Sequence, residues 1–148
     1  MDIRITDTPF EPGTELNAFS TANPQAGAIA SFLGQVRDED GAVNTLSLEI
    51  YPGVTEKGIQ ARAKQAMQQF RLSDLCIIHR HGDMSVGEPI VLVLTAAKHR
   101  RDAFLACDYL MDYLKTEAIF WKKQTGQDGT QWIEPRPDDY QDAKRWRP

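Results

Sequence analysis

The sequence has little cysteine and no long apolar run. Of its 148 residues only Cys76 and Cys107 are cysteines, and both lie inside apolar stretches. A disulfide framework or a cysteine-rich metal site needs more cysteines at closer spacing, so we expect two buried free thiols. No apolar run approaches the roughly 20 residues of a membrane span. The N-terminal residues MDIRITDTPF do not resemble a signal peptide, so we expect a cytoplasmic protein.

An excess of positive charge is also absent. The chain carries 17 Lys and Arg against 21 Asp and Glu, a formal net charge of −4. This balance argues against bulk binding of nucleic acid or of an anionic membrane, so any basic site must be local. The composition, 41% hydrophobic and 26% charged, is typical of a globular protein, and we predict one domain over residues 1–148.

Common cofactor and hydrolase motifs are missing. There is no P-loop, no GxGxxG after a strand, no GxSxG and no HExxH. His79 and His81 are two residues apart and would share one face of a strand, but no cysteine or carboxylate has a spacing that would complete a metal site. The residues therefore give no basis for predicting a structural metal.

Apolar periodicity predicts an α+β fold in which helices pack on a largely antiparallel sheet. The predicted strands cover residues 2–6, 26–36, 44–51, 75–79 and 89–97, and the predicted helices cover 14–19, 56–70 and a segment after residue 98. Strand 89–97 is the most apolar and is expected to be central. Thr14 and Thr55 are the expected helix caps. Gly27 and Gly34 indicate a bulge or a close backbone approach.

The sequence also predicts two hairpins and a C-terminal tail. The strands at 26–36 and 44–51 are expected to pair across the charged turn at 37–41. Aromatic residues on both sides of the Gly-rich turn at 126–129 predict a second hairpin. The polar residues 138–148 have Trp146 as their only apolar anchor, and they predict a mobile tail that orders on a partner.

The strongest functional signal lies between residues 98 and 123. An apolar comb with helical spacing begins directly after four basic residues. The comb is Ala103, Cys107, Leu110, Leu114 and Ala118, and the basic residues are Lys98, His99, Arg100 and Arg101. A helix start is the positive end of the macrodipole, so an anion bound there would relieve the repulsion between these cations. The alternative is that the basic side chains simply point into water.

Four further cations are candidates for a site, each with a structural alternative. Lys115 lies near the helix end beside Met111, where a lowered pKa would let it act as an acid, base or nucleophile. It could equally stabilise the helix C-terminus. Lys122 lies near the helix end or on the first hairpin strand. Arg37 at a strand end and Arg136 between two prolines could each bind an anion or be solvated loop charges.

Several short segments resemble the MoaE family, the large catalytic subunit of molybdopterin synthase. They occur in the family's order and extend over most of the chain, from about residue 26 to 146. The segments are FLGQVR (32–37), LEIYPGVTEK (48–57), IHR (78–80), HR (99–100), MDYLKT (111–116), FWK (120–122) and WIE (132–134). MDYLKT and FWK at this spacing are specific to the family.

The resemblance implies an α+β fold, described as an α/β hammerhead with an additional antiparallel β-subdomain. It implies a sulfurtransferase that converts cyclic pyranopterin monophosphate into the dithiolene of molybdopterin. The sulfur would come from a thiocarboxylate on the C-terminal Gly-Gly of a small ubiquitin-like subunit. The family works as a heterotetramer around a dimer of large subunits, with a site that the family suggests is shared across the dimer. The resemblance implies no metal and no resident cofactor, because the pterin is the substrate.

The same resemblance assigns roles by position. Lys115 matches the family's essential lysine and Lys122 a second lysine of the same pocket. The implied substrate-binding positions are Arg37, His99, Arg100, Arg136, Phe32 and Met111. The chain departs from the family at Glu117 and Ile119, where relatives often have a basic residue and a proline. The alternative function is a non-catalytic scaffold that binds a ubiquitin-like tail or an anionic pterin.

Overall fold

The chain folds into two sheets and four α-helices in a computed structural model that describes residues 1–38, 45–118, 120–126 and 129–147, with the side chain of Gln131 outside the description. Parts of two predicted turns, residues 39–41 and 127–128, lie outside the described residues, as does Ile119. In chain order the elements are β1 (Asp2–Thr6), α1 (Pro12–Ala22), β2 (Ala28–Gln35), β3 (Thr45–Ile50), α2 (Val54–Gln69), β4 (Leu72–Arg80), β5 (Gly82–Ser85), β6 (Pro89–Ala97), α3 (Arg100–Thr116), β7 (Phe120–Gly126), β8 (Gly129–Ile133), α4 (Pro137–Ala143) and a 3₁₀ turn (Lys144–Trp146).

The first sheet, which we call sheet A, has the strand order β1-β4-β6-β2. β1 runs parallel to β4, and the other neighbouring strands are antiparallel. β6 lies between β4 and β2, and its residues 91–97 are all buried, as expected for a strand covered on both faces. The predicted central position of this strand is confirmed.

Helices cover both faces of sheet A. α2 and α3 contribute to the larger core cluster on one face, and Phe19 of α1 belongs to the core on the other face. Four residues of the predicted comb, Ala103, Cys107, Leu110 and Leu114, are buried on α3. The fifth, Ala118, lies beyond the end of the helix at Thr116 and is partly buried against the same core. Both cysteines are buried and free, as predicted. No helix in the described part of the chain is long and apolar enough to cross a membrane.

α3 runs back along β6, and two contacts fix its direction. The Thr95 hydroxyl donates to the Ala103 carbonyl at 2.7 Å, and the Cys107 thiol lies 3.9 Å from the Val93 carbonyl. The end of α3 therefore lies where β6 begins and where the antiparallel strands β2 and β4 end. We call this side, where Lys115 lies, the Lys115 end of sheet A.

The second sheet, sheet B, has the order β5-β3-β7-β8 and is antiparallel throughout. It confirms the predicted β7–β8 hairpin and agrees with an added antiparallel subdomain. The predicted hairpin of β2 and β3 is wrong, because β2 pairs with β6 while β3 pairs with β5 and β7. Alternation identifies a strand but not its partner, and the connection over residues 36–44 is long enough for the chain to change sheets.

Both predicted helix caps are wrong. α1 begins before Thr14, at Pro12, and the Glu11 side chain caps it. Proline fits the first helical position because its missing N–H would be unpaired there in any case. The Thr55 hydroxyl lies inside α2 and accepts a hydrogen bond from the Tyr51 backbone N–H at 3.0 Å. It therefore holds the preceding turn rather than capping the helix.

The C-terminal segment is folded against α3, and Trp146 is its apolar anchor. The Trp146 ring makes edge-on contacts with Phe70 and Tyr109, at centroid distances of 5.8 and 5.4 Å. Its indole N–H donates to Asp112 at 2.6 Å. The sequence identified the apolar anchor but not the surface that receives it, and the mobility of residues 138–148 stays a prediction.

A close backbone approach at Gly27 leads to a test of stability. A Cβ added to Gly27 would lie 2.2 Å from the Lys98 carbonyl oxygen, at the junction of β6 and α3. We expect Gly27→Ala to lower the free energy of unfolding by about 1–3 kcal/mol, because backbone must shift. Gly13→Ala is the matched control, since its Cβ would meet only the Glu11 side chain at 3.7 Å. Urea unfolding of both variants measures the difference in their free energies of unfolding. Equal values would contradict the close contact between Gly27 and the Lys98 carbonyl.

Candidate active site

Two lysines from different elements meet at the Lys115 end of sheet A. Lys115 is in the last turn of α3, and Lys122 is the third residue of β7. The structure thereby decides the position of Lys122, which the sequence left open between helix and strand. Lys115 is exposed, whereas Lys122 is half-buried and close enough to the Lys115 amine for the two charges to interact.

This arrangement changes the acidity of Lys122. Burial lowers its pKa to about 8. The positive charge of the nearby Lys115 acts in the same direction, and the charge of Asp139 opposes them. An amine with this pKa is roughly one-tenth neutral at pH 7, against roughly one part in 3,000 for an ordinary lysine. Lys122 can therefore exchange a proton near neutral pH, which is what a general acid or base must do.

A buried imidazole lies close to the pair. His79, on β4, stacks on Phe120 of β7 with ring centroids 4.0 Å apart, and its Nδ1–H donates to the Arg80 carbonyl at 2.8 Å. Burial lowers its pKa to about 4, and the charges of Lys122 and Lys115 contribute. His79 is therefore neutral at physiological pH. The sequence indicated His79 only as a weak metal candidate. Forty residues separate it from Phe120, so no local motif indicates that the two rings stack.

The first turn of α4 carries a carboxylate that the sequence reading missed. Asp139 is 14% exposed and accepts from the Arg136 backbone N–H at 3.0 Å and from the Arg136 guanidinium at 3.3 Å. The predicted substrate-binding group Arg136 is exposed and paired with this carboxylate. A signal was present in the sequence, because an acidic residue three positions after a helix start is typical of a capping box.

Three other predicted site residues lie toward the same end. Arg37 follows β2 and is exposed, and β2 ends there because Gln35 pairs with Pro89 at the start of β6. Phe32 is 40% exposed and lies on the face of β2 that α3 covers. Met111 is buried one turn before Lys115. The chain thus provides a cation and two apolar side chains in the neighbourhood of the lysine pair.

His99 and Arg100 lie at the opposite end of α3. His99 is the N-cap residue, and the register of Ala28 with Ala97 places it beside the start of β2. α3 has 17 residues and is therefore about 25 Å long. Within one chain, His99 and Arg100 therefore lie far from Lys115, and the implied pterin-binding residues divide between the two ends of α3. Motif spacing could not reveal this, because it does not say which end of a long helix faces a site.

The departure from the family at Glu117 has a local explanation. The Glu117 carboxylate accepts from Arg62 at 2.7 Å, and the Arg62 guanidinium lies 4.6 Å from the Tyr113 ring centroid. The negative charge is thus bound by a cation of α2. Among the described residues no cluster of three or more His, Cys, Asp or Glu could hold a metal ion.

The fold and the site define the class: an α+β protein with two neighbouring lysine amines, one of which has a lowered pKa, at one end of a sheet, an arrangement suited to group transfer on an anionic substrate. The model of the MoaE protein family matches residues 5–117. The chain therefore belongs to the MoaE family, and the resemblance seen in the sequence is confirmed.

Known proteins support this membership. A molybdopterin synthase catalytic subunit from Caulobacter vibrioides is 51% identical over 146 residues, which cover 99% of this chain and 97% of the relative. The solved molybdopterin biosynthesis MoaE protein from Burkholderia ambifaria MC40-6 is 43% identical with a TM-score of 0.83, covering 98% and 97% of the two chains. A chain in the complex of subunits 1 and 2 of the molybdopterin-converting factor from Helicobacter pylori 26695 shares the fold, with 22% identity, a TM-score of 0.78 and coverage of 90% and 91%.

Proposed function

We propose that this chain is the catalytic subunit of a molybdopterin synthase. It transfers sulfur to cyclic pyranopterin monophosphate and so forms the dithiolene of molybdopterin, in the cytoplasm and without a resident metal or cofactor. The observation that carries this proposal is the pairing of Lys115 with a Lys122 whose pKa is about 8. The relative that is 51% identical over nearly the whole chain bears the name of this catalytic subunit.

The two amines suit different parts of the reaction. The thiocarboxylate sulfur of the donor attacks a carbon of the pterin, and a carbon–oxygen bond at that carbon breaks. Water then cleaves the acyl–sulfur bond, so that the sulfur stays on the pterin, the donor leaves as a carboxylate, and negative charge develops on the oxygens in both steps. The exposed Lys115 ammonium stabilises that charge and, as a general acid or base, moves a proton at the reacting atoms. Lys122 exchanges a proton with solvent or substrate near neutral pH because its pKa is about 8.

The sulfur donor in this proposal is a small ubiquitin-like subunit with a C-terminal Gly-Gly thiocarboxylate. A Gly-Gly terminus has no side chains, so it can thread into a narrow site and approach a lysine closely. The exposure of Lys115 leaves that amine accessible from outside the chain. The Helicobacter pylori complex, which contains a second subunit beside a chain of the same fold, agrees with a two-component enzyme.

The pterin site requires two copies of this chain. Arg100 and Lys115 are fifteen positions apart on α3, which is about 22 Å at 1.5 Å per residue. A small anionic substrate bound beside Lys115 therefore lies far from the backbone of Arg100 in the same chain. A two-fold dimer with antiparallel α3 helices brings Arg100 of one copy to Lys115 of the other. Two large and two small subunits then form the heterotetramer.

Mixed dimers test this shared site. Arg100→Ala should keep the fold, because Arg100 is exposed, and should weaken pterin binding about tenfold to a hundredfold. When equal amounts of the Arg100→Ala and Lys115→Ala variants are mixed, half of the dimers contain one chain of each. One of the two sites in each such dimer is intact, so about a quarter of the parent activity should return. At pterin concentrations below the Kd, each variant by itself should be nearly inactive. A mixture as inactive as its components would place both residues in one chain.

Reconstitution tests the function itself. Purified chain, a Gly-Gly-thiocarboxylate partner and the cyclic pterin are mixed, and dithiolene formation is followed by mass spectrometry. Product without further proteins is the expected result. A stable complex that forms no product would favour the scaffold function, and failure to form a complex would reject the sulfur-transfer proposal for this chain.

A further inference from the structure

We propose that His79, on β4, is a positioning residue for Lys122. Its ring stacks on Phe120 and thereby holds the start of β7, with the lysine two residues further on, against the Lys115 end of sheet A. The resemblance assigned no role to the IHR segment (78–80), although its histidine is only 6% exposed. The catalytic consequence rests on the proposed function, whereas the effect on the position of Lys122 does not.

The stack joins the two sheets of the protein. The His79 and Phe120 ring centroids are 4.0 Å apart and the ring planes are inclined by only 19°, so the rings lie nearly parallel and in contact. His79 alternates along β4 with Leu75 and Ile77, which belong to the core under α2 and α3, and Phe120 packs on the same core. Sheet B is therefore attached to sheet A on the side where α3 ends.

The imidazole of His79 is itself held in place. Its Nδ1–H donates to the Arg80 carbonyl at 2.8 Å, which fixes the rotation of the ring. The backbone at Arg80 pairs with Thr6 of β1, and on the other face of the sheet the Arg80 guanidinium binds Glu88 at 3.2 Å. The end of β4 is thus anchored on both sides, and the imidazole presents a fixed plane to Phe120.

Strand geometry carries this contact to the lysine. Alternate residues of a strand share a face, so Phe120 and Lys122 lie on one face of β7 and the exposed Trp121 on the other. In register, Lys122 pairs with Leu48 of β3, which is buried. The face that carries the lysine is therefore turned toward the protein. If the start of β7 were released from sheet A, water would reach the amine and its distance from Lys115 would change.

Titration of the free protein tests the proposal without substrate or partner. The protein is labelled with ¹³C-lysine, the Lys122 Cε signal is assigned with Lys122→Met, and its shift is followed against pH. His79→Asn keeps an N–H donor near the Nδ1 position but removes the ring. We expect the Lys122 midpoint to rise from about 8 toward the ordinary 10.5, by about one pH unit, because burial is what chiefly lowers it. His79→Phe keeps a ring against Phe120 and should titrate like the parent.

Amide hydrogen exchange separates a positioning role from a general loss of stability. His79→Asn should exchange faster than the parent in β7, with the amides of β6 unchanged, because only the start of one strand is released. Gly27→Ala is the control, since it strains the opposite end of sheet A and should leave the Lys122 midpoint at the parent value. Should His79→Asn fail to fold, Phe120→Leu removes the other ring of the stack and is expected to raise the Lys122 midpoint in the same way.

Three results would overturn the proposal. They are a Lys122 midpoint that neither His79→Asn nor Phe120→Leu moves, a midpoint that His79→Phe moves as far as His79→Asn does, and exchange that accelerates equally in β6 and β7. In the reconstituted enzyme, His79→Asn should lower kcat about tenfold to hundredfold, because a misplaced amine reacts poorly, and His79→Phe should stay near the parent rate. A parent chain that forms no product would reject the proposed function and leave the titration result standing.

Discussion

Replacing Lys115 with alanine is expected to reduce sulfur transfer by about 100- to 10,000-fold, the range for losing a general acid or base or an oxyanion-stabilising group. Lys115 is exposed at the end of α3, so its removal creates no cavity and should not unfold the chain. Its loss also removes the charge that lowers the Lys122 pKa, so that pKa should rise. Single-turnover formation of dithiolene, measured by mass spectrometry, provides the rate.

Lys123→Ala is the matched control for this experiment. Lys123 neighbours Lys122 on β7 but points to the opposite face, where its amine lies 5.5 Å from the Trp132 ring centroid. We expect it to retain the parent rate. Lys115→Arg separates the two roles, because it keeps a positive charge while its pKa prevents proton exchange. A Lys115→Ala variant that binds the partner and forms product at the parent rate would remove Lys115 from the reaction.

Pterin affinity should fall as the pH rises through about 8. In the free site Lys122 is charged below its pKa of about 8 and neutral above it. A bound anion favours the charged form and raises this pKa, so binding takes up a proton between pH 8 and the raised value. Affinity is therefore highest below pH 8 and decreases toward the raised pKa. Loss of a charge-assisted contact of about 1.5–3 kcal/mol corresponds to roughly tenfold to hundredfold weaker binding.

Isothermal titration calorimetry between pH 6.5 and 9.5 measures the affinity. Comparing the binding enthalpies in buffers of different ionisation enthalpy gives the number of protons taken up. The cyclic phosphate is a diester and keeps one negative charge over this range. Lys122→Met should bind weakly and lose the pH dependence, whereas Lys123→Met should retain it. Proton uptake of the same size in Lys122→Met would assign the titration to another group.

Some features followed from the residues without tertiary information. The comb of α3 could be predicted because a helix repeats every 3.6 residues whatever it packs against. β6 was predicted as central because nine consecutive residues from Pro89 are compatible with burial on both faces. The β7–β8 hairpin followed from the glycines at its turn. These are local properties, and local energetics fix them.

Partnerships between distant segments could not be predicted in this way. β2 is an apolar strand that was predicted to form a hairpin with β3, yet it pairs with β6, at the edge of sheet A. The sequence could not show what Trp146, the one apolar anchor of the polar tail, packs against. Its partners, Tyr109 and Phe70, lie 37 and 76 positions earlier in the chain. Such contacts depend on which surfaces are left uncovered after the chain has folded.

The sequence by itself determined most of the helices and strands, the buried thiols, the family and the two lysines that the site is built around, but not the short elements β5 and α4. Tertiary structure alone decided that Lys122 lies on a strand, half-buried and next to Lys115, with its pKa lowered to about 8. It also separated Arg100 from Lys115 by the length of α3. The reason is physical: charge and burial depend on distance in space, whereas motifs record only distance along the chain.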